Sequence, residues 1–548
     1  MAKNLAVLSF AAAALPAVAA LPQLDANARI GAMITNTVMR KDAVALAAPF
    51  AQKDATWEWK TEFWGKHLQA AAPILTLTGD AGDFRANLAA SVDALLAAQR
   101  EDGYLGNYKE PCQEGWDVWG IKYTLLGLLD YHAATGDERA LAAARRLLDF
   151  LIAETGPNGK RRFISTGNFL GLASTSVLEP VVRLAKLTGE TRYADFARMI
   201  VRQAGWDPDG PQLIAKALDG VPVAERTAWR AQKMNGRKAY EMMSCYQGLA
   251  DWWAFDGCQD TDLEKAIVRT GVDILENEIN VIGSGTAMEF WYHGRVNQQR
   301  QFRWMNETCV TVTWMRLAAK LFDMTHESRW ADALEQSFFN AWLGAIVPDA
   351  TRFDSYPVLN GTRGPFNRQC GFETNCCNEN GPRGFLAYRN AAVVVDKDDV
   401  YLNFFLAGTY GPSARRFEIA SDWPNDGKVR VTYRGEPATF ALRRRIPRWI
   451  NPKGGYETER RAWLPGDTLD FEIPLEPRTE FLHDAAVVLR GPVVYVRTGA
   501  DQGRLVRYEG FDPQAEICGL VPFAAAGAGP YTTWLPLVRD VWEYPSPY

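Results

Sequence analysis

The sequence has no excess of positive charge and no long apolar stretch beyond its first residues. Its 60 lysines and arginines are outnumbered by 65 aspartates and glutamates, which gives a net charge of −5. A nucleic-acid partner requires a basic surface, so we expect none. A membrane-spanning helix needs about 20 consecutive apolar residues, and we find no such run after the N-terminus. What remains is a globular chain of 548 residues, which is expected to form two or more domains.

A short apolar run opens the chain. Lys3 precedes an almost wholly apolar segment from Leu5 to Leu15, and small residues follow at 17–20. This pattern is typical of a signal peptide, here residues 1–20. The alternative is a buried N-terminal helix. We therefore expect a periplasmic or secreted protein.

Pairs of amphipathic segments recur through the first two thirds of the chain. Apolar residues return at helical spacing, and each pair is joined by a short turn that suits a left-handed helix C-cap. Helical hairpins must stack on one another to bury their apolar faces. Five or six of them suggest an α/α toroid across residues 21–389, with a central cavity lined by loops; the preference for this closed ring over an open solenoid rests partly on the family resemblance described below. The turns lie near Gly79, Gly136, Gly189, Gly257 and Thr325.

The pattern changes after about residue 390. Short β-branched or alternating runs, such as "KVRVTYRG" and "AAVVLRGPVVYVRTG", are separated by turns rich in Gly, Pro and Asp. These features predict an antiparallel β-sandwich over residues 390–548, with an irregular tail from about residue 500. The chain as a whole is therefore predicted to be multidomain, α plus β.

Two short motifs contain residue types that bind metals. Glu307 and Cys309 form the first, and the adjacent Cys376 and Cys377 form the second. Neighbouring cysteines make no ordinary disulfide without strain, although cysteines of exported proteins usually pair. Three thiolates and a carboxylate would satisfy a tetrahedral Zn²⁺ ion, which is the expected cofactor. Two roles stay open: a structural site that fixes a loop, or a site in which one bound thiolate is a nucleophile.

Glu289 is the candidate proton donor. It follows a glycine-rich turn and precedes Phe290, Trp291 and Tyr292, and an apolar setting raises the pKa of a carboxyl group. Glycosidic cleavage needs such an acid, and negative charge nearby would stabilise its cationic transition state. The alternative is a solvated glutamate in a loop.

Several motifs together resemble glycoside hydrolase family 127, the β-L-arabinofuranosidase family. They are "ETC" at 307–309, "CC" followed by "NGPRGF", the "GSG…E" segment, "WDVWGIKYTLLGLLDY", "LRRRIPRW" and "VVLRGPVVY". The likeness covers most of residues 55–500, and the Glu-x-Cys…Cys-Cys set is its most specific part. It implies an (α/α)6 barrel followed by a β-sandwich, and hydrolysis of a terminal furanoside with retention of configuration.

The resemblance also implies roles for individual residues. Cys376 would be the nucleophile and would attack the anomeric carbon. Glu307, Cys309 and Cys377 would complete the zinc shell with Cys376. Glu289 would be the acid/base that protonates the leaving oxygen and then activates water.

The sugar pocket departs from the family pattern. The family's pocket histidines fall on Tyr123, near Ser174 and near Lys238, and this chain has only five histidines. Lys122 and Lys238, with Arg237, would suit an acidic or deoxy sugar. The alternative is that these lysines only pair with carboxylates.

Four further residues are candidates for binding the sugar. Asp117 lies between Trp116 and Trp119 at the start of a helix that should face the cavity, although a plain helix cap would explain it equally well. Tyr356 is a candidate from the loop before the cysteine pair. With Tyr123 and Lys238, these residues complete the expected sugar-binding set.

Two other functions remain open at the level of sequence. An inverting glycosidase could use the carboxylates of Asp117 and Glu289, separated by roughly 6.5–9.5 Å, with a structural zinc. A non-catalytic carbohydrate-binding protein could retain the same scaffold. In each case the partner is a carbohydrate.

Overall fold

The computed structural model describes residues 21–79, 82–226, 237–302 and 304–538. The predicted signal peptide, residues 1–20, lies outside the described residues. Within them, no helix has the length and apolar character that crossing a membrane requires.

Six inner helices form a closed ring. Each contacts the next along the chain, and the sixth contacts the first, so the toroid is closed. This confirms the predicted (α/α)6 barrel. The first to sixth inner helices are Glu62–Thr78, Asp117–Thr135, Leu178–Thr188, Ala239–Phe255, Thr308–Thr325 and Arg383–Ala392.

Five outer helices, each longer than the short helices given below, pack against the ring, and each is antiparallel to the inner helix before it. Gly136 and Gly189 adopt the left-handed conformation at the predicted C-caps, and His326 takes the same role after Thr325. The outer helices are Gly82–Ala97, Glu138–Thr155, Thr191–Trp206, Thr261–Asp273 and Ser328–Ser337. Shorter helices are Ala26–Met33, Ala43–Ala47, Asn168–Thr175, Leu213–Leu218, Gly294–Asn297, Leu343–Ala345, Cys376–Asn380 and Pro513–Glu516.

The inner helices bury polar as well as apolar side chains. The first one buries Glu62, Lys66, His67 and Gln69 among apolar neighbours. Helices of an outer layer need only one apolar face, whereas an inner helix is covered on all sides. Buried charges on the inner layer therefore lie near the axis of the barrel and need partners there.

Three sheets follow the barrel, starting at Val393, directly after the sixth inner helix. The sandwich prediction is confirmed in outline, but two strand pairs are parallel. The first sheet contains Val393–Asp396, Asp399–Leu402, Ala438–Arg445 and Tyr456–Trp463, and the second contains Gly408–Tyr410, Phe417–Ser421, Lys428–Tyr433 and Thr468–Glu472. The third contains Asn360–Gly361, Pro477–Leu482, Ala485–Arg490, Val493–Thr498, Val506–Arg507, Val521–Pro522, Tyr531–Thr532 and Leu535–Val538.

The C-terminal segment returns to the barrel. Tyr531–Thr532 pairs with Asn360–Gly361, which lies in the loop between the short helix Leu343–Ala345 and the cysteine pair. The Tyr531 hydroxyl donates to the Val358 carbonyl at 2.5 Å. The segment after residue 500 thus braces the loop that carries Tyr356.

Arg445 joins the first sheet to the barrel. Its side chain is fully buried and forms ion pairs with Asp332 and Glu335 of the fifth outer helix, and its Nε donates to the Asn403 carbonyl at 2.6 Å. Removing one partner leaves buried charges unpaired, which typically costs about 3–5 kcal/mol. We therefore expect Arg445→Ala to lower the free energy of unfolding by that amount, measured by urea denaturation.

A matched control for Arg445→Ala is available in the second sheet. Arg430 pairs with Asp470 at 2.7 Å, but both side chains are more than half exposed. Arg430→Ala is expected to leave the urea midpoint unchanged, because exposed ion pairs contribute little. Equal midpoint shifts in the two variants would show that the Arg445 cluster does not stabilise the junction.

Candidate active site

A small cavity opens at one end of the barrel. Its volume is about 120 Å³, far below the roughly 300–1,000 Å³ of sites for drug-sized ligands. A larger groove of about 820 Å³ runs along the outer helix Thr191–Trp206, but it contains none of the predicted site residues. The small cavity is lined by Trp59, Glu62, Trp116, Trp119, Lys238, Tyr240, Glu241, Glu289, Glu307, Gln369 and Cys376.

The two metal-binding motifs meet at the floor of this cavity. Glu307 immediately precedes the fifth inner helix, and Cys309 lies in its first turn. Cys376 and Cys377 open the short helix Cys376–Asn380, which Asn375 caps by accepting from the backbone N–H of Asn378. One ligand atom from each of the four residues lies within 4.8 Å of all the others. The cluster could therefore hold a metal ion.

The cluster concentrates acidic groups in a buried space. Burial raises the pKa of Glu307, with further contributions from Glu289 and Cys376 that Lys238 partly offsets. Burial likewise raises the pKa of the Cys309 and Cys377 thiols. Hydrogen bonds from Cys309 and then Cys377 lower the pKa of Cys376 well below its usual value. Cys376 is thus the most acidic thiol of the three.

Glu289 enters the cavity from a strained turn. Its φ of +69° lies in the left-handed region, which is unusual for a non-glycine residue and is found often at functional sites. The Tyr356 hydroxyl donates to Glu289 Oε1 at 3.2 Å, and the Lys238 ammonium donates to Oε2. Burial raises the pKa of Tyr356, so its hydroxyl stays protonated and keeps donating. Both carboxylate oxygens of Glu289 are therefore held in place.

The structure brings most of the expected sugar-binding residues together. Trp116, Trp119 and Lys238 line the cavity, and Tyr356 contacts Glu289. Trp116 and Trp119 pack edge to face with ring centroids 5.9 Å apart. The two indoles thus form one aromatic wall.

The structure does not bring Asp117 to the cavity lining. Its side chain is fully buried outside the cavity lining, where it accepts from the Tyr104 hydroxyl at 2.7 Å and from the Cys112 backbone N–H at 2.9 Å. Burial raises its pKa to about 6. Asp117 is at the start of a helix, as the sequence suggested, but its carboxyl group faces away from the axis and anchors the preceding loop.

Tyr123 is likewise not among the residues that line the cavity. Tyr123 lies one helical turn deeper than Trp119, is fully buried, and shares a hydrogen bond with the Tyr240 hydroxyl. It therefore supports Tyr240, which lines the cavity, and does not line the cavity itself. Ser174 is likewise buried, and its hydroxyl donates to the Gly171 carbonyl at 3.1 Å.

The two lysines expected to favour an acidic sugar have other partners. Lys238 pairs with Glu289 and with Glu241, the latter at 3.5 Å. Lys122 is fully buried outside the cavity lining, with its Nζ 4.3 Å from the Trp119 ring centroid and 4.6 Å from that of Tyr123. For Lys238, the alternative of pairing with carboxylates matches these contacts better than an anion site does, whereas Lys122 contacts aromatic rings.

Burial lowers the pKa of Lys122 to about 7. Its ordinary value is near 10.4, so between these two pH values the unfolded chain binds more protons, and this residue makes stability rise with pH. Lys122→Met removes that dependence. We expect the variant to have a higher unfolding temperature than the wild type at pH 7 and a smaller advantage at pH 9, measured by calorimetry. An advantage that grows with pH would contradict this assignment.

The sequence reasoning missed several cavity residues, chiefly Glu62 and Glu241. Glu62 accepts from Lys66 at 2.8 Å and from the Trp119 indole N–H. Its signal was a Glu–Lys pair four residues apart within an otherwise apolar helix. Glu241 had no signal beyond its proximity to Lys238. The other missed lining residues are Trp59, Tyr240 and Gln369.

Gln369 connects the cavity to the cysteine loop. Its side-chain oxygen accepts from the Cys376 backbone N–H at 2.9 Å. This bond fixes the start of the short helix that presents Cys376, so Gln369 positions the thiol as well as lining the cavity.

Comparison with known proteins agrees with this geometry. A family model described as the catalytic domain of GH127 β-L-arabinofuranosidase matches residues 18–390. The chain is 25% identical over 550 residues to a non-reducing end β-L-arabinofuranosidase of Bifidobacterium longum subsp. longum, covering 87% of this chain and 81% of that protein.

Solved structures show the same fold. A GH127 β-L-arabinofuranosidase from Geobacillus stearothermophilus T6 aligns with a TM-score of 0.74 at 16% identity, covering 94% of this chain and 99% of that one. A second GH127 β-arabinofuranosidase aligns with a TM-score of 0.73 at 18% identity, covering 94% and 96%. With the family match across most of the barrel, the chain belongs to glycoside hydrolase family 127 and is a glycoside hydrolase.

Proposed function

We propose that this chain is a secreted, zinc-dependent retaining exo-glycosidase that removes a terminal β-L-arabinofuranoside or a closely related neutral furanoside. The observation that carries the proposal is the close set of Glu307, Cys309, Cys376 and Cys377 beside Glu289 in one cavity. The activity printed for the Bifidobacterium longum relative supports the choice of sugar.

The spacing of the cluster supports zinc. A tetrahedral ion with Zn–S bonds of about 2.3 Å and Zn–O bonds of about 2.1 Å separates two sulfurs by about 3.8 Å and a sulfur from an oxygen by about 3.6 Å. Cys376 Sγ lies 3.9 Å from Cys377 Sγ, and the two sulfurs lie 3.9 and 3.5 Å from Glu307 Oε1. In addition, Glu307 Oε2 is buried without a hydrogen-bond partner among the described residues. When bound, zinc would keep the thiols deprotonated at neutral pH.

The first half of the reaction uses Cys376 and Glu289. The Cys376 thiolate attacks the anomeric carbon and forms a C–S bond, while the C–O bond to the leaving group breaks. Glu289 gives its proton to the leaving oxygen. Lys238 also has Glu241 as a partner, so its ammonium retains a carboxylate when Glu289 carries the proton.

The second half regenerates the enzyme. Glu289, now a carboxylate, takes a proton from water, and the water oxygen bonds to the anomeric carbon as the C–S bond breaks. Two displacements on opposite faces return the starting configuration, which defines a retaining glycosidase.

The small cavity supports removal of one sugar at a time. Aromatic rings of Trp59, Trp116, Trp119 and Tyr240 offer apolar surface to a single ring, and the carboxylates offer hydrogen-bond acceptors. A polymer passing through the site would need a longer cleft.

The two other functions have less support. The inverting mechanism needs the carboxylates of both Asp117 and Glu289 in the cavity, and Asp117 is buried outside the cavity lining. A purely sugar-binding protein would not need an acid/base beside three clustered thiols. Export rests on the signal-peptide pattern of residues 1–20 alone, and N-terminal sequencing of the protein from the culture medium or periplasm tests it.

Metal content tests the cluster directly. Purified enzyme is expected to contain about one zinc per chain by mass spectrometry of metals, and Cys309→Ser is expected to lose most of it because a neutral hydroxyl is a poor zinc ligand. Chelation of the wild type should abolish hydrolysis of an aryl β-L-arabinofuranoside, and added zinc should restore it.

Cys245 provides the matched control. It is a fully buried cysteine on the fourth inner helix, and its thiol contacts the Leu172 carbonyl outside the cluster. Cys245→Ser should keep the full zinc content. Zinc-free, fully active wild type, or zinc retained in Cys309→Ser with unchanged affinity, would refute zinc dependence.

A further inference from the structure

Two carboxylate oxygens of the cavity residues have no hydrogen-bond partner among the described residues: Glu307 Oε2, which belongs to the thiol cluster, and Glu241 Oε2. Four carboxylates line the cavity, and three are accounted for: Glu62 by Lys66 and Trp119, Glu289 by Lys238 and Tyr356, and Glu307 by the thiol cluster. Glu241 is 2% exposed, and its Oε2 is buried without a hydrogen-bond partner among the described residues. Leaving such an acceptor unsatisfied costs about 1–3 kcal/mol. A ligand hydroxyl would remove that cost.

A free donor stands beside this acceptor. An ammonium group has three N–H donors. Lys238 directs donors to Glu289 Oε2 and to Glu241 Oε1, the latter at 3.5 Å, which leaves one. Lys238 and Glu241 both line the cavity and lie three residues apart at the start of the fourth inner helix. The cavity wall therefore presents one donor and one acceptor side by side.

We propose that Lys238 and Glu241 together bind two adjacent hydroxyl groups of the sugar, and that this pair selects neutral sugars over acidic and deoxy sugars. Glu241 Oε2 accepts from one hydroxyl, and Lys238 donates to the oxygen of its neighbour. The inference deepens the proposed function, because it concerns the sugar that Cys376 would attack.

The charges at the site argue against an acidic substituent. Among the described residues that line the cavity, Lys238 is the only lysine or arginine, and it is paired with two carboxylates. A carboxylate or phosphate on the sugar would approach Glu62 and Glu241, and like charges in a buried site repel strongly. An amino sugar is disfavoured for the opposite reason, because its ammonium would lie against that of Lys238.

Deoxy substrates test the pair. The experiment compares kcat/KM for 4-nitrophenyl β-L-arabinofuranoside with its 2-deoxy, 3-deoxy and 5-deoxy forms, in the wild type and in Glu241→Leu. A site built to bind a hydroxyl rejects the analogue that lacks it by large factors. We expect at least one deoxy form to fall by about 100-fold or more in the wild type, and by less than about 10-fold in Glu241→Leu.

Two further variants keep the test decisive. Glu241→Gln preserves the shape and guards against misfolding, and its weaker amide acceptor should give an intermediate loss. Glu179→Gln is the control: Glu179 is equally buried, pairs with Arg316 at 2.6 Å and also has a partnerless oxygen, but it lies outside the cavity lining. Its discrimination among deoxy forms should equal that of the wild type.

Failure of this inference is distinguishable from failure of the proposed function. If the parent glycoside is hydrolysed but Glu241→Leu discriminates among the deoxy forms as the wild type does, the proposed role of Lys238 and Glu241 is wrong and the proposed glycosidase function stands. The same conclusion follows if the enzyme prefers a furanoside that carries a carboxyl in place of its hydroxymethyl group. If no furanoside is hydrolysed, the proposed function fails. Calorimetric binding of free L-arabinose and its deoxy forms then tests the pair, and equal binding by wild type and Glu241→Leu overturns it.

Discussion

Cys376→Ser is expected to hydrolyse an aryl β-L-arabinofuranoside at least about 10⁴-fold more slowly than the wild type. A serine hydroxyl is a far weaker nucleophile than a thiolate at neutral pH, and nucleophile replacements in other enzymes cause losses of this order. Of the three clustered cysteines, Cys376 is the one that lines the cavity, so it is the thiol that a bound sugar can reach. Steady-state kinetics with zinc measured in the same samples checks the expectation.

The matched control for Cys376→Ser lies six residues upstream in the same loop. Cys370 is half-buried, and burial raises its pKa to about 12, so it remains a neutral thiol. Cys370→Ser is expected to retain wild-type turnover. Cys376→Ser with more than about a tenth of wild-type activity would rule out Cys376 as the nucleophile, since a general acid and binding alone sustain far less.

Glu289→Gln is expected to lose about 10²–10⁴-fold in kcat for alkyl glycosides, the usual contribution of general acid–base catalysis. The amide keeps the shape but donates no proton to the leaving oxygen. Aryl glycosides with good leaving groups need less protonation of the leaving oxygen, so the substitution should slow the first step less with these substrates. The second step should then become rate-limiting. Kinetics across a series of leaving groups measures this.

The Glu289→Gln result has two internal checks. Azide, which needs no general base, should speed the second step and yield a glycosyl azide. Tyr356→Phe removes only the hydroxyl that donates to Glu289 at 3.2 Å, so its loss should be smaller, near 10-fold. A loss in Glu289→Gln that is independent of the leaving group would assign Glu289 to binding, not to proton transfer.

Short local patterns in the sequence predicted much of the architecture. Turns at Gly136 and Gly189 predicted helix ends because only a residue that tolerates a left-handed backbone fits there. The vicinal pair Cys376–Cys377 predicted a metal site for a covalent reason: adjacent cysteines pair poorly with each other. The residue types of Glu307 and Cys309 added them to that pair as metal ligands, and the structure brings the four together.

The orientation of single side chains was not predictable in the same way. Asp117 and Trp119 are two residues apart on one helix, yet only Trp119 lines the cavity. Tyr123 shares the face of Trp119 but lies one turn too deep. These outcomes depend on the rotation and depth of a helix in the ring, which packing with distant helices decides.

The pairing of charged side chains was equally hard to predict from the sequence. Lys238 looked like an anion site. Its partner Glu289 reaches it only because a loop some 50 residues later folds over the fourth inner helix, and its second partner, Glu241, lies three residues away on that helix. Glu62 pairs within its own helix, which is why its signal, an (i, i+4) Glu–Lys pair, was visible.

The central claim is that Cys376 forms a bond to the sugar. The most direct measurement is intact mass and peptide mapping of Glu289→Gln, quenched in acid during turnover of 4-nitrophenyl β-L-arabinofuranoside. A good leaving group lets the first step proceed, and without its base the second step is slow, so the intermediate should accumulate. We expect a mass gain of one pentosyl unit, located on the peptide that contains Cys376. A pentosyl unit on a carboxylate side chain, or rapid turnover with no adduct and an inverted product, would contradict the cysteine mechanism.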